Sequence, residues 1–160
     1  MVLTIRNARE EDSEDIWRWR NDSVTRQNSR SKEEIPWENH VSWYANALTN
    51  PNKKIFVGMD GETKVGRIMF DKIKDGLAEV GIVVAPEGRG RGYGSELIRI
   101  GSLEYFSREE SVREILAEIL RNNPASIRVF EKAGYVKREE YPRYGDGKDT
   151  KYFYYFLNRK

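Results

Sequence analysis

The sequence predicts one α/β domain, a single sheet of about seven strands with about four helices on its faces. Three observations carry that reading. The 160 residues suit one domain and supply enough chain for a sizeable core. Strand-like and helix-like segments follow one another as strand, helix, helix, three strands, helix, strand, helix and two strands. No repeat, linker or low-complexity stretch separates them.

Taken in order, "VLTIRNA" alternates apolar and polar residues as a first strand. "EEDSEDIWRWRND" reads as a short helix capped by Asp12, with Asp15 three residues on as the reciprocal partner. "DSVTRQNSRSKEE" is polar and reads as a loop. Pro36 suits a first helical turn, and Trp37, His40, Val41, Tyr44 and Leu48 then fall on one side at helical spacing. "LTNPN" ends that helix. Two strands meet around Asp60-Gly61, a hairpin signal. "GLAEVGIVVAP" is a further strand whose apolar end predicts burial on both faces. A helix to about Phe106 follows, then the strand "VREILAEIL". Asn123 caps the next helix, Pro124 enters its first turn, and Gly134 closes it. "YVKREEYPRY" and "TKYFYYFLN" read as two strands joined around Gly145-Asp146-Gly147. The second is either a paired central strand or an edge used in a dimer.

Composition narrows the function. Charged residues make up 34% of the chain, yet the net charge is only +2. That balance gives no large basic surface, so nucleic acid is not expected as the main partner. The absence of cysteine excludes disulfides, thiolate metal sites and a cysteine nucleophile. A single histidine, His40, leaves little for a zinc site, and no metal is expected. No stretch approaches the ~20 apolar residues of a membrane span, and the first residues lack the pattern of a signal peptide. The expectation is a soluble, cytoplasmic protein without a membrane partner.

The segment "EGRGRGYGS" places Gly88, Gly90, Gly92 and Gly94 at alternate positions, with Arg89 and Arg91 between them, after a strand and before a helix. A helix N-terminus offers unpaired N–H groups and the positive end of a dipole. Glycines let a ligand approach the backbone, so the arrangement fits a phosphate. Arginines would add charge-assisted hydrogen bonds. The dinucleotide fingerprint G-x-G-x-x-G fails from Gly88, Gly90 and Gly92 alike, and the Gly-Lys-Ser/Thr ending of a nucleotide-triphosphate loop is absent. Arg-x-x-Gly-x-Gly at Arg89, Gly92 and Gly94 fits.

"VVAPEGRGRGYGSELI" resembles the acyl-CoA signature of the GNAT superfamily of N-acetyltransferases, and "NNPASIRVFEKAGY" resembles its second signature, one strand later. The element order over nearly all of the chain is also similar to that family's. The resemblance implies a mixed, mostly antiparallel sheet with two strands splayed at an acetyl-CoA slot. It implies that backbone N–H groups of Gly90, Arg91, Gly92, Tyr93 and Gly94, helped by Arg89, hold the CoA pyrophosphate. Ile82, Val83 and Val84 would pair with the pantetheine arm, and Asn123 would contact that arm, cap its helix, or do both. A backbone N–H on the splayed strand would polarise the acetyl carbonyl.

Family members transfer acetyl directly from the thioester to a neutral amine. Glu79, three residues before the acyl-binding stretch, is the candidate base; the alternative is a solvated or ion-paired strand glutamate. Many members use a tyrosine seven residues after the helix asparagine as the acid. That place holds Phe130, which has no proton to donate. Tyr135 reads as a core or strand residue, Tyr141 and Tyr144 lie in a loop, and water is a further donor, so the acid is unassigned.

The first fifty residues usually choose the acceptor. Their Trp-Arg-Asn, Arg26, Ser29, Ile35, His40 and Trp43 resemble the branch that acetylates nucleotide-linked amino sugars in flagellin nonulosonic-acid or spore-coat polysaccharide synthesis. Arg20 and Asn21 are the leading acceptor contacts, with His40 either a structural histidine or a third contact. Arg18 and Arg30 read as solvated. Competing readings are acetylation of protein N-termini, of a polyamine or aminoglycoside, and a non-catalytic CoA-binding module. Dimers are common in the family, so a homodimer is also implied.

Overall fold

A computed structural model describes residues 2–138 and 151–160. Its strands are β1 (Leu3–Asn7), β2 (Lys53–Asp60), β3 (Thr63–Lys74), β4 (Leu77–Val84), β5 (Glu114–Leu120), β6 (Val136–Arg138) and β7 (Tyr152–Asn158). Its helices are α1 (Ser13–Asn21), α2 (Ser23–Gln27), α3 (Trp37–Thr49), α4 (Tyr93–Arg108) and α5 (Pro124–Lys132). The strands form one sheet in the order β1-β2-β3-β4-β5-β7-β6. Every neighbouring pair is antiparallel except β4 and β5, which are parallel.

That exception makes the site. β4 and β5 pair only at Leu77, Ala78 and Glu79 with Glu114, Ile115 and Leu116. β4 then runs on to Val84 and β5 to Leu120 without pairing to each other. The splay expected of the slot is present. β4 was expected to be buried on both faces. Val80 and Val83 are buried, but Ile82 and Val84 are only half-buried, because their neighbouring strand has turned away.

Side chains alternate across the sheet and build a core on each face. Phe56, Ile68, Phe70, Leu97, Ile98, Tyr105 and Ile115 pack on the α4 side, with the Phe70 and Tyr105 rings stacked at 4.3 Å. Ile16, Trp19, Tyr44, Ala47, Ile55, Val57 and Val83 pack on the α1 and α3 side. In α3 the buried stripe is His40, Tyr44 and Ala47, while Trp37 and Val41 are 39% and 42% exposed. The expected stripe was thus centred slightly off, since a residue one place along a helix turns about 100° away. Pro36 stands just before α3, where its carbonyl accepts from His40 N–H at 3.1 Å.

Two caps differ from expectation. Asp12 makes no side-chain cap on α1. It is fully buried, and its carboxylate instead accepts from Arg6 at 2.7 and 2.9 Å, from the Arg9 N–H at 2.8 Å and from Lys64 at 3.0 Å. Asp15 also turns to Lys64, at 2.9 Å. The polar segment expected to be a loop contains α2, because the Asp22 side chain accepts from the N–H groups of Val24 and Thr25 and stops the first turn from fraying. Asn123 caps α5 as expected, accepting from Ser126 N–H at 3.2 Å. β7 lies between β5 and β6 and is an interior strand. The Gly145-Asp146-Gly147 turn, Tyr141 and Tyr144 lie outside the described residues.

Candidate active site

Beyond Glu79 the diverging strands enclose a cleft of about 630 Å³. One wall is β4 from Glu79 to Val84 and the other is β5 from Ala117 to Leu120. The glycine turn and the start of α4 form the mouth, with Asn123, Ser126 and Phe130 beside them. Val24, Thr25, Ser29 and Arg30 cover the opposite side, where Arg67 and Tyr152 also enter the wall.

The turn holds its shape through residues that only glycine accommodates at low cost. Gly90 and Gly92 have φ of +77° and +81°. Gly92 is the last residue before α4, so the N–H groups of the first helical turn have no carbonyl four residues earlier to bond. They meet the cleft where β4 ends. A pyrophosphate fits this arrangement, and a pantetheine arm fits the β4 backbone that β5 leaves unpaired.

Glu79 is the last β4 residue in register with β5, opposite Leu116, so it stands at the fork. Strand alternation places Glu79 and Gly81 on the face that carries Val83, toward α1 and α3. Ile82 and Val84 belong to the α4 face. The Glu79 carboxylate and the unpaired backbone of β4 thus come from one strand.

The arginines of the turn behave differently from the reading of the sequence. Arg89 lines the cleft, but its guanidinium donates to Asp22 and, at 3.1 Å, to Thr25 Oγ1. It ties α2 to the glycine turn and holds the Asp22 carboxyl below its ordinary range. A second tie runs from Arg18 to Glu87 at 2.6 Å. Arg91 lies outside the cleft walls. Arg30, read as solvated, pairs with Glu118, whose side chain is only 6% exposed, and its guanidinium lies 5.5 Å from the Tyr152 ring centroid.

Arg20, Asn21 and His40, the expected acceptor contacts, are not brought into the cleft wall. Asn21 clamps the following segment, donating to Ile35 O at 2.9 Å and accepting from Ile35 N–H at 2.8 Å. Trp17 donates to the same carbonyl at 2.8 Å. The Arg20 guanidinium lies 4.5 Å from the Trp43 ring centroid. His40 is fully buried, its Nε2 2.9 Å from Ser13 O, with its ring stacked on Tyr44. Of the two roles considered, burial and the Ser13 contact are what a structural histidine shows, and the ring does not line the cleft.

His40 has a consequence for pH. Burial pushes its imidazole down, and Arg20 and Arg67 push it further. The unfolded chain therefore binds the proton more readily. Its contribution is complete above the ordinary value of about 6.5 and is lost as pH falls below it. Urea midpoints measured from pH 8 to 5 should decline on the acid side, by at most about 1.4 kcal/mol per pH unit. His40→Phe should flatten that decline.

Phe130 stands in the cleft wall and packs against Tyr135 at 5.1 Å. The Tyr135 hydroxyl shares a buried hydrogen bond with Ser102 Oγ at 2.8 Å, and burial pushes its ionisation up. It belongs to the core. Among the described residues the tyrosines of the cleft wall are Tyr93, which donates to Asp60, and Tyr152. Arg67, Glu118 and Tyr152 were missed by the sequence reading. Arg67 and Glu118 each interrupt an apolar strand run, and that was the available signal. Among the described residues no cluster of three or more His, Cys, Asp or Glu could hold a metal, and no helix is long and apolar enough to cross a membrane.

A slot open along one strand, closed by a helix N-terminus and served by a carboxylate at its fork, suits an acyl group on a long thioester arm. By class the protein is an acyltransferase. It belongs to the GNAT family: the acetyltransferase (GNAT) domain matches residues 2–136, which makes it an acetyltransferase. Solved structures share the fold. A domain from Methanocaldococcus jannaschii is 23% identical, with a TM-score of 0.79 and 99% of each chain covered. Spermidine N-acetyltransferase from Vibrio cholerae, in complex with CoA and spermine, is 18% identical, with a TM-score of 0.80 and coverage of 98% of this chain and 95% of that one. Aminoglycoside acetyltransferase AAC(6')-Ib, in complex with coenzyme A and kanamycin, is 19% identical, with a TM-score of 0.80 and coverage of 99% and 95%. A search of curated proteins gave no match.

Proposed function

We propose that the protein acetylates a primary amine by direct attack on the thioester, and that the amine belongs to a nucleotide-linked amino sugar. The observation that carries the transfer chemistry is the position of Glu79 at the point where β4 and β5 part. Acetyl-CoA, when bound, supplies an activated acyl group and a tolerable leaving thiolate. The protein's part is to hold and orient. N–H groups of the glycine turn and the start of α4 take the pyrophosphate. The β4 backbone from Val80 to Val84 aligns the arm, and one of its N–H groups polarises the acetyl carbonyl. Glu79 takes the proton from the amine, directly or through water.

The acceptor reading rests on the likeness of the first fifty residues to the sugar-nucleotide branch. The cleft supports it by bringing Arg30, Glu118 and Tyr152 together in its lining, which suits a polar acceptor with hydroxyls and an aromatic base. The acceptors printed for the spermidine and aminoglycoside enzymes make a polycation the second reading, and Glu79 and Glu118 favour it.

Free-thiol release from acetyl-CoA tests these readings with three acceptors side by side: a UDP-linked amino-deoxy sugar, spermidine, and a short peptide with a free N-terminus. Release with the sugar alone is the expected result. Release with spermidine alone, or with the peptide alone, would overturn the acceptor assignment and leave the transferase standing.

A further inference from the structure

Arg67 is out of place for a structural arginine. It sits in the middle of β3, opposite Val83 of β4, in the run "VGRIMF". Its exposure is 7%, yet it reaches the wall of the cleft. Its Nη1 donates to Gly81 O at 3.2 Å, and its Nε has no hydrogen-bond partner. Among the described residues no carboxylate pairs with it. Glu118, which also lines the cleft, is paired with Arg30. Arg20, the charge that acts on Arg67, is another cation, and it too has no ion-pair partner among the described residues. Burial and this like charge pull the Arg67 guanidinium down to about 9, so it remains charged at neutral pH.

A buried cation with an open hydrogen-bonding edge is costly unless something completes it. Here the guanidinium belongs to a residue of the cleft wall, and a planar fork of N–H donors matches an oxyanion with two oxygens. Glu79 and Gly81 are two apart on one strand face, roughly 7 Å along the backbone, so the carbonyl that holds the guanidinium is one strand repeat from the position of the base.

We propose that Arg67 is the anion receptor of the acceptor site, binding a phosphate or carboxylate that the acceptor carries close to its reacting amine. This rests on the reading of Glu79 as the base, and it narrows the acceptor to amines with a neighbouring oxyanion. It also separates this protein from one that takes polyamines, since a buried cation at this point repels a second positive centre.

The test uses matched acceptors and the full chain saturated with acetyl-CoA. One pair is an amino-sugar 1-phosphate and its neutral methyl glycoside. The other is an amino acid and its amide. Wild type should prefer one anionic member by about 30-fold or more in kcat/KM, as loss of a buried charge partner implies. The preferred pair names the source, phosphate or carboxylate. In Arg67→Gln that preference should fall toward one. Arg67→Lys, which keeps the charge but not the fork, should retain a part of it and so distinguishes lost anion binding from lost fold. Equal loss for both members of a pair in Arg67→Gln would overturn the proposal, and so would equal use of both members by wild type.

A second arm separates this failure from failure of the sugar reading. Inorganic phosphate and acetate are titrated into the CoA-loaded protein, with the Gly81 amide resonance as the readout. A shift in wild type that Arg67→Gln abolishes sustains the anion site even if no sugar is acetylated. No shift with either ion would overturn it.

Discussion

Glu79→Gln is expected to lower kcat/KM for the amine by about 100-fold at neutral pH, the lower end of what a positioned base contributes. Glutamine keeps the shape of the side chain and removes the ability to take a proton. The residue lies at the fork, where β4 last pairs with β5, and the glycine turn lies at the other end of the strand. CoA affinity should therefore stay within a few-fold of wild type. The pH profile is the sharper readout. An amine with an ordinary value near 8 is mostly protonated at neutral pH and mostly free above it. The deficit of the variant should shrink as pH rises through that value, since the acceptor then arrives already deprotonated. Steady-state kinetics from pH 6.5 to 9.5 measure this. A deficit that stays constant across the range would assign Glu79 a structural role.

Asp12→Ala is expected to cost about 3 kcal/mol of folding stability, the range for removing one partner of a buried ion pair. The carboxylate is fully buried and joins β1 through Arg6, the turn that leads into α1 through the Arg9 N–H, and β3 through Lys64. Its loss leaves Arg6 and Lys64, each about a quarter exposed, facing one another without an anion. The acid response should change as well. Burial alone would raise the Asp12 carboxyl, but the hydrogen bonds from Arg6, Arg9 and Lys64 outweigh it and hold it well below the carboxylate range. For a depressed carboxyl, stability is present above the unfolded value of about 4 and lost as pH falls below it. Urea unfolding at pH 7 gives the cost, and its repetition at lower pH should show wild type losing more stability than Asp12→Ala. A variant as stable as wild type at pH 7 would show that the cluster carries no net stabilisation.

The two halves of the site were unequally visible in the sequence. The cofactor half is local. Alternate glycines between a strand and a helix, and Asn123-Pro124 before α5, each specify a turn and a helix start within a few residues, and the structure has both. The acceptor half is not local. It depends on which side chains of β3, β5 and β7 face a gap created by the divergence of two other strands. Arg67 and Glu118 were visible only as charges in apolar runs, and nothing nearby in sequence says that their face opens on a cleft. α2 was hidden for another reason. Five residues carry too little periodicity to register, and its one clear mark, Asp22 before Ser23, was read as part of a loop. Arg20, Asn21 and His40 were chosen for their place beside that loop. The structure puts Asn21 and His40 to work holding α1 to the segment that follows and to α3. Arg20 stands behind the wall, near Arg67.

The central claim is that acetyl-CoA lies along the unpaired part of β4 with its pyrophosphate at the start of α4. Backbone amide resonances followed during a titration with CoA test this directly. The account predicts shifts concentrated at Val80–Val84, Gly88–Gly94 and Asn123, with the β1 and β2 strands unaffected. Shifts centred on α3 or on the outer strands, with the glycine turn silent, would contradict it.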